Sequence, residues 1–362
     1  MQEDYMRRAL ELARKGEGRT SPNPLVGAVI VKHGRVVGEG YHKKAGGPHA
    51  EIAALRKAAA RARGADLYVN LEPCCHHGRT PPCTQAIIDA GIKNVMVGMR
   101  DPNKRIGGKG IRQLKKNGVR VTAGVLRKEC GRINEVFVKY IRTRRPYVIL
   151  KSALSLDGRI ATRSGDSQWI SGPQARERVH QMRDKADAVL VGSGTVLKDN
   201  PRLTARLKKG KGNHPARVIL DGRNRVPLTA NVFKNGGSQR IIYVSGPRLR
   251  PSRGKRLRRM GVEVLVLNEK KGNLDLRQLM KKLGKMEFSS LLIEGGAEVY
   301  AGALKAGIVD KIVFFVAPII IGGRDARGAV GGEGIEKIRQ AYKIKNLTVV
   351  PVGNDLMLEG NL

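Results

Sequence analysis

A chain of 362 residues is longer than one average domain and suits two, each large enough to bury its own core. Four cysteines, two of them adjacent, exclude a disulfide framework and favour a metal-binding or reactive-thiol use in a reducing compartment. Lys and Arg number 69 against 31 acids, a formal charge of +38, but the excess is +18 in residues 1–145 and +20 beyond, so no single polyanion-binding patch is indicated, and aromatics at 4% leave few base-stacking platforms.

The N-terminal "MQEDYMRRALELARKGEG" has helical period from Tyr5 to Lys15, with Met6, Leu10 and Ala13 on one side. It lacks the apolar core of a signal peptide, and no run of about 18 apolar residues follows, so a cytoplasmic protein without membrane spans is expected. "LVGAVIVKHGRVVGEGYH" reads as a hairpin about Lys32 to Arg35. A helix from His49 to about Arg63, a strand at Leu67–Leu71, a cysteine loop, a helix from Thr84 to Ala90 and a strand at Asn94–Gly98 follow. A helix at 109–117 and the strand "VRVTAGV" complete the first half. This alternation predicts an α/β fold, with a mixed sheet and flanking helices.

The basic, proline-containing stretch around Arg144 separates two folded patterns, which sets domains at 1–145 and 146–362. The second half is again α/β, with strands at Tyr147–Leu150, Ala188–Val191, Arg217–Leu220, Ile241–Val244, Val262–Leu267, Leu291–Ile293 and Lys311–Val316. "RLKKGKGNHP" reads as an exposed loop.

Three of the four cysteines and three of the seven histidines fall within residues 48–88. His49, Cys74 and Cys83 form a three-ligand zinc set with the fourth tetrahedral position open, the arrangement of a catalytic site. A fourth ligand from Cys75 or His76 would make the site structural, although Cys75 directly follows Cys74 and is expected to point away. Glu51, two residues from His49, falls in the first turn of a helix and needs no metal bond, so it is placed to relay protons for deamination. Two core cysteines and a capping carboxylate are the bland alternative.

The cysteine motif is P-C-x₈-C, "PCCHHGRTPPC", preceded by "TSPNPLVGAVIV" and followed by "RDPN". This set resembles the deaminase half of the bifunctional riboflavin-biosynthesis deaminase/reductase family, and the resemblance extends over essentially the whole chain. It implies a cytidine-deaminase-like αβα domain with a mixed sheet. It also implies zinc on His49, Cys74 and Cys83, Glu51 as proton shuttle, and Asn23, His42, His76 and Arg79 facing the substrate. Cys75 departs from the more common serine, and Arg79 stands where lysine is also common. Taken alone, His42 equally fits an ordinary strand-end histidine and Asn23 a turn former.

"AVLVGSGTVLKDNP" and "SSLLIEGGAEVYAGAL" are strand-to-glycine-to-helix turns whose spacing fits tight packing and phosphate binding equally well. Together with "LKSALSLDGRIA" and "GDSQWISG" they resemble the family's reductase half, which implies a dihydrofolate-reductase-like α/β domain that uses NADPH. On that pattern the cofactor lies against Ala153, Trp169, Thr195, Gly222, Gly296, Ala297 and Gly302. Ser167, Arg183, Asp199, Leu203, Arg206 and Glu294 hold the sugar phosphate. Free arginines suit bidentate phosphate binding, and carboxylates accept ribose hydroxyls. Trp169 alone would equally fit a core anchor, and at Gly222, where the family often has serine or threonine, a cofactor contact is either lost or supplied by backbone.

The expected reaction is hydrolytic deamination of a phosphoribosyl-diaminopyrimidine, followed by NADPH reduction of its ribosyl group to ribityl. The expected partners are small-molecule phosphoribosyl-pyrimidines, with no membrane, no nucleic acid despite the charge, and self-association into a homo-oligomer. Two rival readings are a nucleic-acid base deaminase with an appended domain and a nucleic-acid-binding protein with structural zinc. Both fit the charge, but neither uses the long cysteine spacing.

Overall fold

The computed structural model describes residues 2–76, 81–104, 106–210, 212–234, 239–270 and 272–362. Two compact units divide the chain, Met1–Arg144 and Arg145–Leu362.

The first unit runs α1 (Gln2–Arg14), β1 (Gly27–Lys32), β2 (Arg35–Tyr41), α2 (Ala50–Ala58), β3 (Asp66–Leu71), α3 (Cys83–Asp89), β4 (Asn94–Met99), α4 (Lys109–Lys116), β5 (Arg120–Ala123), α5 (Arg127–Ile133) and α6 (Glu135–Thr143). Its sheet has the order β2-β1-β3-β4-β5, antiparallel at β2/β1/β3 and parallel at β3/β4/β5. Alternation within each strand supplies both faces. Ala28, Ile30, Val95 and Val97 meet α2, α3 and α4, whereas Val29, Val31 and Met96 meet α1 and Cys130 of α5.

Close approach positions α2. Gly38 and Gly40 share one face of β2, and a Cβ at Gly40 would lie 2.4 Å from the Ala50 carbonyl oxygen. Opposite them stand Ala50, Ala54 and Ala58, one residue per turn. The seam of small residues lets the helix sit directly on the hairpin, so its N-terminus, with His49 and Glu51, is fixed by backbone packing.

The second unit continues with β6 (Tyr147–Ser155), β7 (Arg159–Ala161), α7 (Pro173–Lys185), β8 (Ala188–Gly192), α8 (Ser193–Asp199), β9 (Ala216–Leu220), β10 (Ile241–Ser245), α9 (Pro251–Arg259) and β11 (Glu263–Val266). The short pair β12 (Glu269–Lys270) and β13 (Asn273–Leu274) precedes α10 (Leu276–Lys285), β14 (Ser290–Gly295), α11 (Ala297–Lys305), β15 (Lys311–Ala317), β16 (Arg327–Gly328), β17 (Lys345–Val352) and β18 (Asp355–Asn361). Nine strands form one sheet in the order β11-β10-β9-β8-β14-β6-β15-β18-β17. It is parallel from β11 to β15, and β18 and β17 close it antiparallel. Strands buried on both faces explain the continuous apolar runs "AVLVG" and "IIYVS".

The structure departs from the sequence expectations at several points. The helix expected over 49–63 ends at Ala58, because Ala59 takes φ +47°, and a 3₁₀ turn continues to Ala62. Helix α1 begins at Gln2 rather than Tyr5. The stretch before Arg144 is two helices, α5 and α6, rather than a linker. The hairpin of β17 and β18 was not anticipated: β17 is exposed along almost its whole length and carries no alternating burial pattern.

Candidate active sites

Beyond β3 the chain turns through Pro73 into the cysteine segment, so Cys74 lies three residues past the strand end, and Cys83 is the first residue of α3. His49 caps α2 with extended backbone, and Glu51 sits in its first turn. His49 Nδ1 lies 3.2 Å from Cys83 Sγ and 3.6 Å from Cys74 Sγ, and the three ligand atoms lie within 4.8 Å of one another. Tetrahedral zinc with these donors needs separations of about 3.5–3.8 Å, so the set fits the ion. Neither Cys75 nor exposed His76 joins the cluster among the described residues. Arg79 lies outside the described residues.

The electrostatics suit a metal-binding centre. The hydrogen bond from Cys83 drives the Cys74 thiol well below its usual range, and the same bond drives Cys83 up. The Cys83 backbone N–H also points at Cys74 Sγ, at 3.4 Å. Burial and the neighbouring Cys74 charge push the carboxyl of Glu51 up to about 7, a range suited to proton relay near neutrality. His42 is buried, its Nδ1 3.0 Å from the Pro48 carbonyl and its Nε2 3.2 Å from Asn23 Nδ2. Burial pulls the His42 imidazole below its usual value, which favours the neutral ring. It packs edge-on against His49 with centroids 5.5 Å apart, which brings His42 and Asn23 to the zinc ligands.

Glu72 was not singled out in the sequence, yet it anchors this region. Its buried carboxylate accepts the backbone N–H groups of Asp101, Gly108 and Ile111, at 3.0, 2.8 and 3.1 Å. The loop after β4 is thereby tied to the residue before Pro73. An acid inside the run "YVNLEPCC" is the signal that would have found it.

In the second unit, Arg183 on α7 and Glu294 on β14 form a buried fork, with Nε to Oε1 at 2.6 Å and Nη2 to Oε2 at 2.7 Å. Lys151 on β6 joins it, 3.2 Å from Glu294 Oε2. Burial alone would raise the Glu294 carboxyl, but the Arg183 and Lys151 charges outweigh it and hold the group at about 2. The sequence expectation gave both residues to the sugar phosphate; in the structure the Arg183 fork engages Glu294, and its Nη1 donates to the Thr204 carbonyl. Lys151 went unnoticed in the sequence, although a lysine inside "YVILKSAL" is an ionisable residue on an otherwise apolar strand.

Around this cluster, Asp199 ends α8 and accepts a hydrogen bond from Ser167. Arg206 is anchored through its backbone N–H to His180 Nδ1, at 3.3 Å, and Leu203 is buried with φ +55°. Trp169 is no core anchor: it is 68% exposed, with the Arg176 guanidinium 4.7 Å from its ring centroid. Ala153 pairs with Phe315 on β15.

The glycine turns form a cradle with no room for side chains. A Cβ on Gly295 would lie 2.6 Å from Thr195 Oγ1, and Gly296, at φ +90°, leads into Ala297 at the start of α11. Beside it a cleft of about 2590 Å³ is lined by residues that include Ser193, Gly222 and Gly302. Backbone that a ligand can approach this closely, opening on a cleft of this size, fits a dinucleotide.

Residues 1–99 match the model of the cytidine and deoxycytidylate deaminase zinc-binding region, and residues 146–358 match that of the RibD C-terminal domain. The protein is thus a zinc-dependent deaminase joined in one chain to an NADPH-dependent reductase. The riboflavin biosynthesis protein RibD of Actinobacillus pleuropneumoniae is 45% identical over 357 residues, covering 98% of this chain and 94% of its own length. The RibD of Escherichia coli strain K12 is 42% identical, covering 98% of both. The solved structures of Acinetobacter baumannii RibD, form 1, and of the Thermotoga maritima deaminase/reductase align with TM-scores of 0.89 and 0.87, at 38% and 39% identity, each covering 99% of this chain and 98% of the other. The chain belongs to the bifunctional riboflavin-biosynthesis deaminase/reductase family.

Proposed function

We propose that the first unit deaminates a diaminohydroxyphosphoribosylaminopyrimidine and that the second reduces the 5-amino-6-(5-phosphoribosylamino)uracil so formed, the two activities named for the Thermotoga relative. The observation that carries the first half is the convergence of His49, Cys74 and Cys83 beside the buried carboxyl of Glu51. Zinc on those three residues would supply the Lewis acidity that makes water nucleophilic near neutral pH. Glu51 takes the proton from that water and delivers it to the departing amine, so that oxygen from water replaces nitrogen and ammonia leaves. His42 and Asn23, linked to each other, present polar edges to the pyrimidine. The same role is assigned to His76 and Arg79 on the strength of the family pattern.

In the second unit, NADPH would supply the hydride for reduction of C1 of the opened ribose. Glu294 is held ionised by Arg183 and Lys151, and the pair of cations exceeds the single carboxylate by one charge, which favours an anionic substrate. Arg206 carries the phosphate, Asp199 accepts from sugar hydroxyls, Ser167 accepts from or donates to them, and Leu203 shapes the wall. Ala153, Trp169, Thr195, Gly222, Gly296, Ala297 and Gly302 line the cofactor's path. The test is a coupled assay on the purified chain that follows ammonia release and NADPH oxidation separately. Ammonia release that survives Glu51→Gln, or no NADPH oxidation after deamination, overturns the corresponding half.

We further propose a cytoplasmic homo-oligomer with small-molecule partners only. No helix among the described residues is long and apolar enough to cross a membrane. Val349, Val350 and Leu347 on β17, with Ile338 nearby in sequence, leave apolar surface exposed, which supports self-association. Light scattering that returns a monomer at micromolar concentration, or RNA binding that persists at high salt, overturns these two statements.

A further inference from the structure

Seven arginines line the cleft that also holds Gly222 and Gly302, and six of them, Arg223, Arg225, Arg248, Arg250, Arg253 and Arg256, follow β9 and β10 in the chain. Glu294 ends β14 and Lys151 lies on β6, and the sheet then runs from β14 through β8 to β9 and β10. At about 4.8 Å per strand, the loops after β9 and β10 stand roughly 10–15 Å from the β14 edge, comparable to the length of a dinucleotide. A cofactor with its reducing end at Glu294 therefore has its adenosine end at these arginines.

Two of these cations are already committed. Arg248 pairs with Glu269 at 2.9 Å, and Arg253 donates to the Val226 carbonyl and lies against the Tyr243 ring. Of the acids lining the cleft, Asp275 pairs with Lys270, Glu333 pairs with Lys305 and Glu298 accepts the Gly332 N–H. Arg223 and Arg225 stand one strand nearer β14 than Arg250 and Arg256, which follow β10 and are also exposed. The first pair is exposed on the loop after β9, and Arg225 Nη2 reaches Ser193 Oγ, at 3.3 Å, at the start of α8.

That loop is fixed from beneath. Fully buried Asp221 accepts the N–H groups of Arg225 and Val226, at 3.0 and 2.8 Å, and the Tyr243 hydroxyl at 2.8 Å. Asn224 Oδ1 accepts from Ser245 Oγ at 2.8 Å. The backbone that carries the two arginines is thus held in a fixed turn beside Gly222, which lines the cleft.

We propose that Arg223 and Arg225 bind the 2′-phosphate of NADPH, making the loop after β9 the determinant of NADPH over NADH, with Asp221 as its positioning residue. This rests on the NADPH reductase activity of the second unit. An exposed pair of charge-assisted contacts accounts for about a thirtyfold preference.

Titration calorimetry on the full-length, zinc-loaded chain compares 2′,5′-ADP with 5′-ADP, which differ only in the 2′-phosphate. The double variant Arg223→Ala/Arg225→Ala is expected to lose about thirtyfold in affinity for 2′,5′-ADP and less than about threefold for 5′-ADP, with the NADPH-to-NADH ratio of kcat/KM falling in parallel. Arg258→Ala, on α9 but outside the cleft lining, is expected to change neither affinity. Asp221→Asn is expected to lower the same preference while the fold, followed by circular dichroism, persists. Equal loss of both nucleotides, no loss, or the same loss in Arg258→Ala overturns the assignment. A wild-type chain that binds neither nucleotide and oxidises neither cofactor would instead sink the reductase reading on which it rests.

Discussion

At the scale of single residues, function depends on where burial is matched by a partner and where it is not. Glu51 is buried beside thiols and its carboxyl is pushed up to about 7, whereas Glu294, equally buried, is held at about 2 by two cations. One is poised to move a proton, and the other is a fixed anion. Glu51→Gln is expected to retain zinc, measured by atomic absorption, and to lower deamination by about 10²–10⁴-fold. For Glu294 the folded-state value lies below the ordinary 4.5, so the ionised form is favoured in the fold. Its contribution is fully present above about pH 4.5 and disappears as pH falls toward 2, on the order of 3 kcal/mol. Urea melts of the second unit are expected to lose stability across that window in the wild type. In Glu294→Gln the loss across that window should be smaller by that amount, leaving the share of other acids such as Asp157, and the stability above about pH 4.5 should be lower, because Arg183 and Lys151 lose their counter-charge.

At the scale of elements, the first site is built by helix placement. His49 and Glu51 occupy the end of α2, and α2 lies where Gly38 and Gly40 permit contact between backbones. Gly40→Ala puts a methyl 2.4 Å from the Ala50 oxygen and is expected to destabilise the first unit by about 1–3 kcal/mol. Zinc content should fall with it, since the displaced helix carries a ligand; a variant with full zinc and an unchanged melting temperature would show that the seam does not position the site. The glycines were legible in "RVVGEGYH" only as part of a hairpin, because their role depends on a helix that packs against them from later in the chain. Similarly, α5 and α6 were missed because their sequence is basic and carries few buried residues: Cys130 is the one buried side chain of α5 and Tyr140 that of α6.

For the whole molecule, two units with separate cores carry separate chemistries. Chelation of zinc is therefore expected to abolish ammonia release while NADPH oxidation on already deaminated substrate continues at its former rate; simultaneous loss of both would show that the metal supports more than the first unit. From the sequence alone one can read the alternating α/β order, the zinc ligand set and its neighbouring carboxylate, because local periodicity and ligand spacing are properties of short stretches. Arg183 and Glu294 could be named from the sequence, but their pairing could not, since 111 residues separate them and only the docking of α7 against β14 brings their charges together. The same holds for Lys151 and Glu72. A buried charge has meaning only through its partners, and tertiary packing chooses those partners.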